Sequence, residues 1–75
     1  MTDLDLFNEQ LDFFCKNKIR FHADLKDGMW LNGIVIKNEK QDIWWIQEDK
    51  LGEVFLFTKS IAKLHQFIEK KNDKM

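Results

Sequence analysis

The chain has 75 residues, a third of them charged, and a net charge of −1; that length supports one domain, and the charge balance excludes any general electrostatic attraction to nucleic acid, so such binding has to come from a local patch. A single cysteine, Cys15, excludes an internal disulfide, and two scattered histidines, His22 and His65, show no zinc-ligand spacing. Stabilisation of so small a domain then falls to an aromatic core, for which there are three Trp and seven Phe, or to self-association.

The apolar runs are far shorter than the ~20 residues of a membrane span, and the acidic residues that come first are unlike a secretory signal. The expected location is cytoplasmic, which a lone thiol fits, with no membrane partner.

Residues 3–17 are expected to form a helix. Thr2 can cap it, and Asp3 and Asp5 suit the positive end of the helix dipole. Leu4, Phe7, Leu11 and Phe14 recur at three- and four-residue steps and make one apolar stripe, which Leu6 and Phe13 widen. The polar face is acidic, which argues for a helix packed on a sheet rather than one lying on a membrane. Lys16 and Lys18 sit at the negative end, and Cys15 reads as a small buried residue rather than a nucleophile.

From Ile19 the period changes to two. Ile19, Phe21, Ala23 and Leu25 alternate with Arg20, His22, Asp24 and Lys26, the pattern of a half-buried strand. Asp27-Gly28 is a hairpin turn, and a second strand runs from Met29 to about Lys37, with Met29, Leu31, Gly33 and Val35 on the core side and Trp30 and Asn32 on the other. A glycine inside a strand marks a bulge, a bend or a close backbone approach; Gly33 is expected to be the bend. Residues 37–42, KNEKQD, read as a polar turn, 43–48 as a third strand, 53–57 as a fourth and 61–67 as a fifth, with a polar tail at 68–75. Trp44 and Trp45 are adjacent in strand three and face opposite ways: one core, the other a contact with a partner. The expected fold is mainly β with an N-terminal α-helix, its five antiparallel strands strongly bent into a small barrel rather than laid out as a flat sheet, whose edges would be a hazard.

Leu25, Gly28, Leu31, Gly33 and Val35 lie in a pattern L-K-D-G-x-x-L-x-G-x-V after a short helix, and residues 51–64, LGEVFLFTKSIAKL, form a strand, short turn and strand with Ile61 as the aliphatic residue after the turn. In these features residues 4–67 resemble the Sm-like family, whose domain is an SH3-like barrel; the short hairpin between strands three and four is similar to the bacterial Hfq branch, the wording LKDG and LGEV to the LSm branch.

The resemblance implies a homo-oligomeric ring of six or seven subunits in which strand four of one copy pairs with strand five of the next. That assigns Val54, Phe55, Leu56, Phe57, Ile61, Lys63 and Leu64 to the subunit interface. It also implies binding of single-stranded U- or A-rich RNA. The pore turns would be Glu39, Lys40, Gln41 and Asp42, then Thr58, Lys59 and Ser60. In the first turn Gln41 supplies an amide but no aromatic follows until Trp44; in the second Lys59 supplies the cation without the family's imidazole or guanidinium. The other face of the ring would use Gly28, Met29, Trp30, Leu31 and Asn32, with Trp30 as a stacking platform, and Lys16, Lys18 and Arg20 would form a basic rim.

No acid–base or nucleophile constellation and no phosphate loop is present in the sequence, so catalysis, metals and cofactors are not expected. The competing expectations are a small SH3-like module that binds proteins through Trp30 and Trp44 or Trp45, and an Sm-like ring without RNA.

Overall fold

A computed structural model describes residues 3–67; the polar tail lies outside them. One helix, α1 (Asp3–Asn17), precedes five strands, β1 (Phe21–Leu25), β2 (Trp30–Lys40), β3 (Ile43–Glu48), β4 (Gly52–Phe57) and β5 (Ile61–Gln66), with a 3-10 turn, η1 (Thr58–Ser60), before the last. The strands form one antiparallel sheet in the order β4-β3-β2-β1-β5. The protein is thus mainly β. The sheet is not closed on itself: among the described residues β4 and β5 are its two edges and do not pair with each other.

Helix α1 buries Leu11 and Phe14 and packs Phe7 against the core, but Leu6 and Phe13 are exposed. The apolar stripe is therefore narrower than expected. Residues four and seven after Phe7 share its face, whereas Leu6 and Phe13 each lie about 100° of helix rotation away from a stripe residue. The helix stops at Lys18, which takes a left-handed φ of 54°. Its amide donates to the Cys15 carbonyl at 3.3 Å and that of Ile19 to Phe14 at 3.0 Å. This pair of bonds is the usual C-terminal closure of a helix, here without the usual glycine.

The Asp27-Gly28 turn forms as expected. Gly28 has φ 93°, the Leu25 amide donates to the Met29 carbonyl at 2.8 Å, and the Met29 amide donates to Asp27 Oδ1 at 2.9 Å. Met29 itself belongs to the turn and is exposed, not on the core side. Strand β2 runs to Lys40, three residues beyond expectation, so the turn shrinks to Gln41 and Asp42, the latter with φ 66°. Asn38 braces that turn by donating to the Lys40 and Ile43 carbonyls at 2.9 and 3.0 Å.

Gly33 marks a close backbone approach. Its pairing with Phe21 and Glu48 is regular, and a Cβ there would lie 2.1 Å from the Gln47 carbonyl oxygen. Interruptions of the β2–β3 register come later, between Val35 and Lys37 and between Asn38 and Lys40, where an extra residue bends the strand. The core collects Leu11, Phe14, Phe21, Ala23, Leu31, Val35, Trp44, Ile46, Leu56, Ile61 and Leu64 between α1 and one face of the sheet.

Candidate nucleic-acid interface

The two turns expected to act together do meet. The Thr58 amide donates to the Asp42 carbonyl at 2.9 Å, joining η1 to the β2–β3 turn. Between them Gln41, Asp42, Ile43, Phe57, Lys59 and Ser60 line a pocket of about 290 Å³. An amide, a carboxylate, an ammonium and a hydroxyl thus share one concavity floored by Ile43 and Phe57. Lys40 and Glu39 are exposed and do not line it; the Glu39 carboxylate lies 3.5 Å from Lys37 Nζ.

One helix residue that the sequence did not single out braces both turns. Asn8 donates through Nδ2 to Asp42 Oδ1 at 2.7 Å; its Oδ1 accepts from Trp44 Nε1 and from Thr58 Oγ1, each at 2.9 Å. A polar residue next to the apolar stripe of α1, between Phe7 and Leu11, was the available signal. Thr58 is fully buried in this network, so its hydroxyl holds the turn in shape and is not a surface for RNA, contrary to expectation. Trp44 is the core tryptophan. Trp45 is half-buried on the other face, its ring 5.8 Å from that of Phe55 and 5.4 Å from Lys37 Nζ.

On the outer side of β2, Gly28, Met29, Trp30, Glu48, Lys50 and Leu51 surround a second pocket, of about 260 Å³. Trp30 is exposed, with Lys50 Nζ 5.7 Å above its ring. Leu31 is buried in the core. Asn32 is committed elsewhere: its Oδ1 lies within hydrogen-bond distance of His22 Nδ1.

Beneath this pocket Glu48 is 5% exposed. Oε1 accepts from the Lys50 and Leu51 amides at 2.7 and 2.8 Å, and Oε2 from the Asn32 amide at 3.2 Å, so the carboxylate ties the β3–β4 turn to β2. Burial alone would raise its pKa, but the three amide donors and the Lys50 charge outweigh that and hold it below the ordinary glutamate value. A depressed pKa stabilises the fold at pH values above the unfolded-state pKa, and that contribution is lost as pH falls through the folded-state value. Glu48→Gln is therefore expected to destabilise the chain by about 1–2 kcal/mol at neutral pH and to flatten the acid side of a stability–pH curve. Urea melts of both proteins between neutral and acid pH measure this, and parallel curves would contradict it.

In the basic rim, Lys16 is exposed and ion-paired to Asp12 at 3.0 Å, Arg20 is paired to Asp49, and Lys18 is exposed. Of the residues assigned to a subunit interface, Leu56, Ile61 and Leu64 have their side chains in this chain's own core and Val54 is half-buried, while Phe55 and Phe57 are 55% and 50% exposed and Lys63 is exposed. The core members can offer a neighbour only backbone.

No family model matches the chain, and no curated protein matches it. Among the described residues no group of three His, Cys, Asp or Glu is placed to hold a metal ion, and no helix is long and apolar enough to cross a membrane.

Proposed function

We propose that this chain is an Sm-like subunit, its sheet bent into the barrel of that family, that assembles head to tail into a homo-oligomeric ring and binds single-stranded RNA at the paired turns. One observation carries the reading: β4 and β5, the strands that such a ring joins, are the two edges of the sheet. An exposed edge offers unpaired backbone groups, and here β4 also presents Phe55 and Phe57 to solvent. A copy laid with its β5 along that edge satisfies the backbone groups and covers the rings. Around the central opening, each subunit would present Gln41 to a base edge and Lys59 to phosphate, with Asp42 and Ser60 completing the pocket.

Phe55→Lys is expected to leave the fold intact, because the side chain is exposed, and to reduce the mass measured by light scattering from a multiple of six or seven subunits to one. Lys59→Ala is expected to keep the ring, to weaken oligo-U or oligo-A binding about tenfold, and to lower its salt dependence. A wild-type chain that stays a single subunit at high concentration defeats the assembly; a ring that binds neither oligonucleotide at low salt defeats the RNA reading alone.

The Trp30 pocket favours a second reading, a protein-interaction module anchored by Trp30, with Met29 and Leu51 beside it. A monomer in which Trp30→Ala abolishes partner binding is the result specific to it.

A further inference from the structure

We infer that the outer face of β1 and β5 carries a slot for one unpaired nucleobase, between the His22–His65 pair and Phe67. This rests on the single-strand reading above but uses none of the turn residues. The β1–β5 register sets His22 directly opposite His65, and their rings stack with centroids 5.1 Å apart and planes 23° apart. Trp30 stacks on His22 from the β2 side at 5.9 Å and 27°. Three rings from three neighbouring strands therefore stand in a row.

The row is held in place. His22 Nδ1 meets Asn32 Oδ1 and Nε2 lies 3.0 Å from Asp24 Oδ1, so the central imidazole is fixed from both sides. Just beyond β5, the Phe67 amide donates to the Arg20 carbonyl at 2.9 Å, and the Arg20 guanidinium lies 5.2 Å over the Phe67 ring, which fixes that wall as well. Between them is an open cleft of about 310 Å³ lined by His22, His65, Gln66 and Phe67.

Its chemistry suits a base. The walls are flat rings, which stack on any nucleobase. Arg20 is already paired to Asp49 and His22 to Asp24, so the cleft holds no surplus positive charge that would select phosphate. A base in a duplex is stacked on its neighbours, so only an unpaired one can enter. Rings already held in position need little ordering when the base arrives.

His22 and His65 are the chain's two histidines, so their imidazole C–H resonances report on the cleft without interference. Oligo-U or oligo-A added to the full chain is expected to move both resonances. His65→Ala is expected to weaken oligonucleotide binding about tenfold, the loss that one base stack gives. His65→Phe, which keeps a flat ring, is expected to restore it. Thermal melts of both variants check the fold. Resonances unmoved at saturating oligonucleotide, wild-type affinity in His65→Ala, or His65→Phe as weak as His65→Ala would each overturn the slot; so would resonances that move with UMP or AMP and stay still with either oligonucleotide, since the cleft would then serve free nucleotides. Failure here is separable from failure at the turns. A defective slot leaves His65→Ala at wild-type affinity and Lys59→Ala weakened; defective turns give the reverse.

Discussion

Gly33→Ala is expected to cost about 3 kcal/mol of folding stability or more, at or above the upper end of the usual overpacking penalty, and to leave little of the native state at moderate urea. A methyl carbon 2.1 Å from the Gln47 carbonyl oxygen, 2.9 Å from the Gln47 carbonyl carbon and 3.0 Å from the Glu48 Cα cannot be relieved by a rotamer change, because all three atoms are backbone. Either β2 and β3 separate or the register fails, and both strands sit inside the sheet with neighbours on each side. The other two glycines make the control. Gly28 and Gly52 have open space around them but φ of 93° and 81°, so alanine there meets only backbone strain, about 1 kcal/mol. Urea melts of the three variants, followed by tryptophan fluorescence, should separate Gly33→Ala from the other pair. Three similar midpoints would mean that β2 and β3 do not approach as described.

Asn8→Ala is expected to cost about 3 kcal/mol. The substitution strands the hydroxyl of Thr58, which is fully buried, and the indole N–H of Trp44, which is 4% exposed, and each buried donor left without an acceptor costs about 1–3 kcal/mol. Asn8→Asp keeps an oxygen for both donors but sets a carboxylate beside Asp42, where the amide now donates at 2.7 Å. Its deficit relative to wild type should therefore be smaller than that of alanine and should shrink further in acid, as the two carboxyl groups share protons. Chemical denaturation of the three proteins at neutral and acid pH reads this directly. An Asn8→Ala protein as stable as wild type would remove the brace between helix and turns.

The sheet was legible because its strands alternate. Phe21 and Ala23, then Leu31, Gly33 and Val35, fall on the buried side as their spacing requires, and the Asp-Gly hairpin follows from a turn that needs a positive φ. The end of β2 was not legible. Residues 36–40 are all exposed, so no burial pattern separates a strand from a loop there; what keeps them in the ladder is the two bulges and the Asn38 brace, and neither leaves a periodic trace. The candidate turns were legible only through the resemblance, and the roles within them were not. Thr58 has the composition of a surface turn residue, and only the position of Asn8 on the helix makes it an interior one. Leu6 and Phe13 show the opposite error, since apolar character alone placed them on a face that the helix does not bury.

The two ends of the sheet are unlike. One shows aromatic rings on β4; the other, β5, shows Lys63, His65 and Gln66. In the proposed ring, copies joined through such ends would all point the same way round, and every seam would depend on two different surfaces. In that ring a subunit damaged at one end would still be recruited by its sound end and would then block the next addition. A minor fraction of such subunits mixed with the natural chain should therefore spoil far more assemblies than its own share of the molecules.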